Sequence, residues 1–326
     1  MIMEKISVAM CTYNGEQYIH QQLDSILSQT LNVDEIVVCD DQSTDKTIEI
    51  LEEYNKKYPN IFKIYKNEVN LRSVKNFEKA ISLCTGDIIF LSDQDDYWVS
   101  NKVEAYSRFF HNNKNIDVIA SNGYCVNNAS EIIDQYTIWD MPQLLKEYQI
   151  AFDYNRLITH VGNFVTGASL GFRRTILPEI IPFPNLKGFH HDEWIAIIAT
   201  KNNSFEMLNE KYFYYRIHDN QQVGGVTYKK TNKTKNSFLQ GFDLNTPNTF
   251  VGFKRRLKKL HANYLKLVDL KKVSENHKDM LEDSSIEIKK EYFEVQSNFK
   301  KSFPIRYTLL SISDKILNKR QFNPKD

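Results

Sequence analysis

Three acidic residues lie within four positions, directly after an apolar run. Residues 88–91 are Ile, Ile, Phe and Leu, which favour a buried β-strand, and Asp93, Asp95 and Asp96 follow them. Carboxylates at the end of a buried strand lose hydration and repel one another unless a positive charge lies beside them. A divalent cation that carries a phosphorylated ligand would supply this charge. A solvated acidic turn is the alternative, and this stretch alone does not separate the two.

Polar residues follow two other apolar runs in the same way. Thr12–Asn14 come after the run at 6–11, and Asp40 and Asp41 open a polar stretch after the run at 35–39. Each cluster alone is typical of a capped loop. Three matched clusters favour a binding site, provided that the strands before them end at one edge of one sheet.

The elements that must position these clusters alternate along the first 110 residues or so. Predicted strands at 6–11, 35–39, 61–65 and 87–91 are separated by amphipathic patterns typical of helices. This order predicts an α/β fold with a mostly parallel sheet and flanking helices. Ligands bind beyond the carboxyl ends of the strands in such sheets, and this is where the polar clusters fall.

The pattern is less regular between residues 116 and 222. It predicts a strand at 116–120, a hairpin at 122–138, helical pieces at 141–158, a strand at 163–174 with small residues at its start, a helix at 195–199 and a strand at 212–215. The small residues in the strand at 163–174 would allow a ligand to approach the backbone, or would form a β-bulge.

Composition excludes several classes of protein. The chain has 326 residues, 41% hydrophobic and 25% charged, so it has enough apolar side chains for a packed core. Its formal charge of +1 gives no reason to expect nucleic-acid binding by the whole chain. The four cysteines form no Cys-x-x-Cys pair, and neither a secretory signal nor a membrane span is visible, which indicates a cytoplasmic protein.

The last third of the chain has a different character. Residues 223–249 are rich in lysine and glycine and predict a flexible basic loop, and residues 250–326 predict a helical extension. Between 251 and 272, eight basic residues oppose the single acid Asp269, and the apolar positions form one helical face. Such a helix binds an anionic lipid surface, or it packs against the main domain or a partner subunit. Peripheral contact with the inner face of the cell membrane and homo-oligomerisation both follow as expectations.

Four segments together resemble the family 2 glycosyltransferases, which have the GT-A fold. These segments are 11–14, 37–47, 86–98 and 191–194. The form Ser-Asp-Gln-Asp-Asp-x-Trp at 92–98, with Asn76-Phe77-Glu78 upstream, is similar to the rhamnosyltransferase-like branch. The likeness covers residues 4–222 and implies a catalytic domain at 1–222, with a nucleotide-sugar half at about 1–115 and an acceptor half at about 116–222.

The resemblance also implies roles for individual residues. Asp192 matches the general base of the family, although His191 stands where the family usually has Glu. The predicted metal ligands for Mn²⁺ or Mg²⁺ are Asp93, Asp95 and His218. The residues predicted to bind the nucleotide sugar are Thr12, Tyr13, Asn14, Asp40, Asp41, Asn76 and Asp93. The residues predicted to support the site are Asp96, His191 and Trp98.

The activity that the resemblance implies is metal-dependent transfer of a sugar, with inversion, from a nucleoside diphosphate to a hydroxyl. The acceptor would be a growing surface polysaccharide or a lipid-linked glycan, and the name of the branch points to rhamnose. Two alternatives stay open. A sugar-phosphate nucleotidyltransferase should have a glycine-rich phosphate loop after the first strand, where this chain has only Gly15. A non-catalytic protein that binds nucleotide sugars is the other.

Overall fold

A computed structural model describes residues 4–218, 226–242, 247–317 and 319–322. The strands, in chain order, are β1 (Ile6–Thr12), β2 (Glu35–Asp40), β3 (Phe62–Lys66), β4 (Ile88–Ser92), β5 (Tyr97–Trp98), β6 (Val118–Val126), β7 (Ile132–Ile133), β8 (Gln135–Thr137), β9 (Gly171–Arg173), β10 (Phe205–Arg216) and β11 (Thr227–Lys229). The helices are α1 (Ile19–Leu27), α2 (Thr47–Lys57), α3 (Arg72–Leu83), α4 (Lys102–Asn112), α5 (Met141–Glu147), α6 (Tyr154–Arg156), α7 (Leu177–Ile180), α8 (His191–Lys201), α9 (Asn232–Phe242), α10 (Phe250–Val273), α11 (Lys278–Ser302) and α12 (Pro304–Ile316).

The central sheet has the strand order β3-β2-β1-β4-β9-β6-β10-β5, with β7 paired to β6. Strands β3, β2, β1 and β4 are parallel, as are β6 and β10, whereas β9 is antiparallel to both of its neighbours. Because β2, β1 and β4 are adjacent and parallel, their carboxyl ends lie side by side. The predicted α/β fold with a mostly parallel sheet is confirmed.

The three strands that carry the polar clusters are buried along their whole length. Their side chains are apolar on both faces, the pattern expected when helices cover both sides of a parallel sheet. Helix α3 packs against β1 and β2 through the apolar side chains of Phe77, Ala80 and Ile81. The carboxyl ends are therefore held on a rigid base.

The predicted strand at 163–174 differs from the structure. Residues Gly167–Ser169 form a 3₁₀ turn, and only Gly171–Arg173 form a strand. The reason is a local capping arrangement, because Ser169 donates from both its N–H and its hydroxyl to the carbonyl of Thr166. Side-chain bonds of this kind compete with a strand ladder for the same backbone groups.

Two compact units make up the chain. The first contains Met1–Gln143, Phe164–Phe183 and Gly188–Lys230, and the second contains Leu144–Asn163, Pro184–Lys187 and Thr231–Asp326. Residues 223–249, predicted as a loop, include β11, which pairs with β8, and helix α9. The Gly224-Gly225 pair of that segment lies outside the described residues.

Helices α10 and α11 form the core of the second unit. The apolar face predicted for α10 is buried, and Phe253 stacks on Phe299 of α11 with ring centroids 5.0 Å apart. Arg256, which the sequence places on the exposed basic face, is instead buried and bonded to Glu291. In the part of the chain that the structure describes, no helix has both the length and the apolar character needed to cross a bilayer.

Candidate active site

Side-chain hydrogen bonds join the loops that follow β1, β2 and β4. Gln94, after β4, accepts from the Tyr13 N–H at 2.7 Å and donates to the Tyr13 carbonyl at 2.8 Å. Ser43, after β2, accepts from the Asn14 N–H at 2.9 Å, and the Asn14 side chain accepts from the Thr44 N–H at 2.8 Å. The three predicted clusters therefore form one connected rim.

Asp40 holds the first two loops together from inside. Its buried carboxylate accepts from the Thr12 hydroxyl at 2.7 Å, and from the Ser43 hydroxyl and N–H at 2.6 and 2.9 Å. These three donors occupy most of the acceptor capacity of the carboxylate. The geometry makes Asp40 and Thr12 a brace for the rim, and their predicted contact with a nucleotide sugar stays a prediction.

Asp41 is bound by the start of α3. Its carboxylate accepts from the backbone N–H groups of Leu71 and Arg72 at 2.7 and 2.8 Å, and from the Asn67 side chain at 2.8 Å. Unpaired N–H groups at a helix N-terminus favour an anion, which explains why the acid is stable there. A carboxylate has about four lone-pair sites, so these three donors leave one of them unused. The predicted contact of Asp41 with a nucleotide sugar stays a prediction.

Two neighbouring residues of α3 support different parts of the rim. Asn76 donates to the carbonyl of Cys39 at 2.8 Å and accepts from Asn67, so it links α3 to the end of β2. Phe77 stacks on the ring of His191 with centroids 4.1 Å apart. Asn76 is buried in this role, and its predicted part in donor binding stays a prediction.

Asp95 and His218 meet although 123 residues separate them along the chain. Asp95 Oδ2 lies 2.8 Å from His218 Nε2. Buried Arg216, two residues before His218, donates from its N–H to Asp96 Oδ1 and from its side chain to the Asp95 carbonyl, both at 2.9 Å. The end of β10 is thereby bound to the acidic loop, which brings two predicted metal ligands into contact.

Asp96 has a different environment from Asp95. It is buried, and its Oδ2 has no hydrogen-bond partner among the described residues. Burial first, and then the charges of Asp95 and Asp93, raise the pKa of Asp96 well above its ordinary value. The bond that Asp96 accepts from the Arg216 N–H fits its predicted supporting place in the loop.

Asp93 lies close enough to Asp192 for the two charges to interact. Removal from water and the charges of Asp95 and Asp192 raise the pKa of Asp93 to about 7. Asp192 is in the first turn of α8, where its Oδ1 accepts from the Glu193 N–H at 2.8 Å. The structure thus brings the predicted base to the acidic loop from almost one hundred residues away.

The family described as Glycosyl transferase family 2 matches residues 7–181, which is more than half of the chain. This chain is a family 2 glycosyltransferase. The match covers β1 to α7 and includes the rim and the acidic loop. Of the three activities that the sequence left open, family membership selects nucleotide-sugar-dependent glycosyl transfer.

Two relatives of this glycosyltransferase have informative names. The dTDP-rhamnosyl transferase RfbG of Shigella flexneri is 31% identical over 256 residues, which cover 71% of this chain and 81% of the relative. The uncharacterized glycosyltransferase MJ1057 of Methanocaldococcus jannaschii is 28% identical over 214 residues, which cover 65% of this chain and 70% of the relative.

Solved structures confirm the GT-A fold of the glycosyltransferase. Staphylococcus aureus TarS, residues 1–349, has a TM-score of 0.52 at 19% identity, with 91% of both chains covered. The mannosyltransferase PcManGT of Pyrobaculum calidifontis, solved with GDP-Man and Mn²⁺, has a TM-score of 0.50 at 14% identity and covers 97% of this chain and 81% of its own.

His191 of the glycosyltransferase lies in an apolar pocket. Its ring is stacked between Phe77 and Phe183, and its two nitrogens have no hydrogen-bond partner among the described residues. Burial lowers the pKa of His191 to about 3, so the ring is neutral. A Cβ at Gly167 would lie 3.1 Å from His191 Nε2 and 3.4 Å from Asp93 Oδ2. Glycine fits this close space, where a methyl group would require His191 to shift by a few tenths of an ångström.

Sequence reasoning missed Lys102 at the start of α4. Its Nζ is buried, donates to the Ala168 carbonyl at 2.6 Å and lies 4.1 Å from the ring centroid of Trp98. Burial lowers the pKa of Lys102 to about 7, whereas Asp96 and Asp93 act to raise it. Lys102 therefore links the predicted supporting residue Trp98 to the turn at Ala168, and its amine interacts with the charges of Asp96 and Asp93.

A sequence signal for Lys102 exists. It lies four and eight residues before Tyr106 and Phe110, which are buried on the same face of α4. A lysine on an apolar helix face indicates a buried cation, and a buried cation needs an anionic or carbonyl partner. Glu104 is nearer in the sequence but lies about 200° away around the helix. The acids at 93–96, six to nine residues upstream, are therefore the candidate partners.

The Asp95 and His218 pair fits a divalent metal. Two ligands about 2.1 Å from an octahedral cation, at right angles to each other, lie about 3.0 Å apart, close to the observed 2.8 Å. No three His, Cys, Asp or Glu side chains within the described ranges form a complete metal cluster. Substrate phosphates and water would have to complete the coordination, as Mg²⁺ sites commonly require. Asp93 as a third protein ligand stays a prediction.

Proposed function

We propose that this glycosyltransferase moves a sugar, with inversion at the anomeric carbon, from a nucleoside diphosphate to a hydroxyl of a surface polysaccharide or lipid-linked glycan. The observation that carries the proposal is the contact of Asp95 with His218 on the rim that also holds Tyr13 and Asp41. The charge of Asp192, in the first turn of α8, interacts with Asp93 and raises its pKa.

The nucleotide would bind where the loops after β1 and β2 meet. Tyr13 is held at both its N–H and its carbonyl by Gln94, while its ring is exposed. A fixed and exposed aromatic ring suits stacking on a base. Asp41 would accept from a base or ribose donor through the acceptor site that the start of α3 leaves open.

Asp95 and His218 would hold Mn²⁺ or Mg²⁺. When bound, such an ion neutralises the charge that develops on the departing diphosphate. Asp93 would face the ribose and the metal, with the buried amine of Lys102 nearby. Arg216 keeps Asp95, Asp96 and the end of β10 together, so the protein ligands need no rearrangement before the donor binds.

Asp192 would take the proton from the attacking hydroxyl. A carboxylate on the face opposite the leaving group activates the acceptor, and a single direct displacement inverts the anomeric centre. The N–H of Glu193 orients one carboxylate oxygen of Asp192. Neutral His191, next to it, is packed between rings and would shape the pocket without exchanging a proton.

For the donor we propose dTDP-rhamnose, supported by the similarity to the Shigella flexneri dTDP-rhamnosyl transferase. The test is a thermal-shift panel of dTDP-rhamnose, UDP-GlcNAc and GDP-mannose with Mn²⁺, followed by measurement of released nucleoside diphosphate. A ligand that binds only the folded state raises the Tm. dTDP-rhamnose should give the largest shift and the fastest release, and EDTA should abolish release. If another donor raises the Tm more, the assignment of rhamnose is wrong. Release of nucleoside diphosphate in the presence of EDTA would contradict the proposed metal dependence.

A further inference from the structure

Helix α12 has an apolar stripe that faces solvent. Ile305, Leu309, Ile312 and Ile316 are 76%, 64%, 50% and 76% exposed. Their spacing of four, three and four residues places them on one face of the helix. Within the described residues, α12 has no buried side chain at all. Soluble surfaces rarely keep a row of large aliphatic side chains in water without an interaction that uses it.

The opposite face of α12 fixes the direction of the stripe. Tyr307 packs edge-on against Phe299 of α11, with ring centroids 5.6 Å apart. Phe303, just before the helix, packs against the same ring at 6.1 Å. Pro304 begins the helix at a position that proline favours. The stripe is exposed because the helix is attached through its other side.

Charges are arranged around the stripe in a way that favours an anionic surface. With about 100° of turn per residue, Arg306 and Lys315 lie about 90° to either side of the stripe, and both are exposed. The acid Asp314 lies on the opposite side and is paired with Arg320. Residues 299–322 contain six basic residues and this one acid.

We infer that α12 binds an anionic lipid surface, lying in the interface with its apolar stripe among the acyl chains and its basic flanks at the headgroups. Helices with this distribution of charge and apolar side chains bind in that way. A second copy of the chain would bring two strongly positive surfaces together, which is unfavourable. With 13 residues, α12 is too short to cross a bilayer.

This assignment moves the lipid contact away from the helix that the sequence predicted. The apolar face of α10 is buried within the second unit, against α11 residues such as Phe299. The exposed apolar residues of α10, Val251, Leu265 and Val273, are 14 and 8 residues apart, so its lysines adjoin no continuous apolar stripe. Among the described helices, α12 has a continuous apolar stripe with basic flanks. The inference drawn from it is independent of the donor, the acceptor and the metal.

The experiment uses the full chain and flotation with phosphatidylcholine vesicles that contain or lack 30% phosphatidylglycerol. The wild-type protein should float with the anionic vesicles and less well at high salt. The stripe variant carries Ile305→Gln, Leu309→Gln, Ile312→Gln and Ile316→Gln, because glutamine keeps helix propensity. It should bind at least ~100-fold more weakly. The double variant Arg306→Glu with Lys315→Glu should bind anionic vesicles at least ~10-fold more weakly than the wild type. Its binding to vesicles without phosphatidylglycerol should not change.

The matched control replaces four other exposed apolar residues of the second unit with glutamine: Val251, Leu265, Val273 and Ile286. It should float like the wild type. The Tm and the release of nucleoside diphosphate are also measured for every variant. Both should match the wild type, which shows that the fold and the activity are intact. Absence of wild-type flotation, or equal flotation of the stripe variant, overturns the inference. Loss of a concentration-dependent dimer in the stripe variant, without any flotation, assigns the surface to a second copy instead.

Discussion

At the scale of single residues, the carboxylates of the rim divide into braces and groups that face a ligand. The Asp40 carboxylate accepts three hydrogen bonds, from Thr12 and Ser43, and Asp96 is buried with a raised pKa. Asp95 and Asp192 are different, because Asp95 contacts His218, which follows β10, and Asp192 lies in the first turn of α8. The chemistry is therefore expected from Asp95 and Asp192, in the metal-binding and base roles that the family resemblance implies for them.

Replacement of Asp192 with Asn should leave donor binding unchanged and slow sugar transfer by at least ~10²-fold, because the amide cannot accept the proton. The measurement is transfer rate beside the Tm shift that the donor causes. Glu193→Gln, at the next position of the same helical turn, is the matched control and should keep its transfer rate. Normal transfer by the Asp192 variant would remove this residue from the role of base.

Asp95→Asn and His218→Gln should each weaken Mn²⁺ binding by at least ~10-fold in the presence of a nucleoside diphosphate. Binding is measured by the loss of the free Mn²⁺ signal in electron paramagnetic resonance, which does not depend on activity. Asp45→Asn serves as the control, since this acid of the same rim accepts from Thr47 and faces no predicted ligand. Unchanged Mn²⁺ affinity in both variants would contradict the metal assignment.

At the scale of elements, short segments far apart in sequence hold the site. The 3₁₀ turn at Gly167–Ser169 is bonded to α4 through Lys102, and through Tyr106, whose hydroxyl donates to the Ser169 carbonyl at 2.6 Å. The end of β10 is bonded to the acidic loop through Arg216. Each of these contacts joins a loop to a helix or a strand and so fixes the position of predicted site residues.

Gly167→Ala should impair the donor reaction more than stability. Its methyl group would lie 3.1 Å from a ring nitrogen of His191, which is stacked between two aromatic rings and cannot retreat easily. We expect at least ~10-fold slower release of nucleoside diphosphate with a Tm within a few degrees. The double variant with His191→Asn should recover part of the rate, since it shortens the obstructing side chain. A wild-type rate of nucleoside diphosphate release in Gly167→Ala would show that the turn accommodates a methyl group.

Glu35 holds the opposite end of the sheet and predicts a dependence of stability on pH. Burial opposes ionisation of Glu35, but hydrogen bonds from Lys63, Ser7 and Thr85 outweigh it and lower the pKa to about 2. The unfolded pKa is about 4.3. Its stabilising contribution is therefore complete above that value and is lost as the pH falls towards 2.

Glu35→Gln should reduce the free energy of unfolding at pH 7 by about 1–3 kcal/mol, and the difference from the wild type should shrink between pH 4.5 and 2. Denaturant titrations at several pH values measure this difference. Glu52→Gln, the control, removes an exposed ion pair with Lys66. It should change neither the free energy of unfolding at pH 7 nor its dependence on pH. A constant difference at all pH values would mean that the charge of Glu35 does not contribute.

At the scale of the whole molecule, each unit has its own core and its own buried charges. In the second unit, Glu291 accepts from Arg156 and Arg256 and lies 3.7 Å from His160. Burial opposes the charge on Glu291, but Arg256 and Arg156 lower its pKa overall. Burial lowers the pKa of His160 to about 4, so this histidine is neutral beside the acid.

Glu291→Gln should leave the charges of Arg156 and Arg256 without their acidic partner. We expect the free energy of unfolding to fall by about 3–5 kcal/mol. The expected result is faster hydrogen exchange in α10 and α11. Because His160 gains a proton more readily when unfolded, the wild-type second unit should also lose stability as the pH falls below about 6.5. Unchanged exchange in the variant would show that the buried ion pair is neutral in energy.

Much of the fold follows from local patterns. The alternation of strands and helices, the apolar face of α10 and the acidic ends of β2 and β4 are all encoded within a few residues, so the sequence predicts them. The family follows from four short motifs read together, and the match to residues 7–181 confirms it. The turn at Gly167–Ser169 was missed because side-chain capping competes there with strand propensity.

The sequence by itself determined the α/β class, the family and the list of acids from which the site is built. Only the tertiary structure decided which of them meet: Asp95 with His218, Asp93 with Asp192, and buried Lys102 with the turn at Ala168. It also decided that α10 buries its apolar face while α12 exposes its own. The physical reason is that burial and pairing depend on contacts between residues far apart in the chain, and residue spacing records only local periodicity.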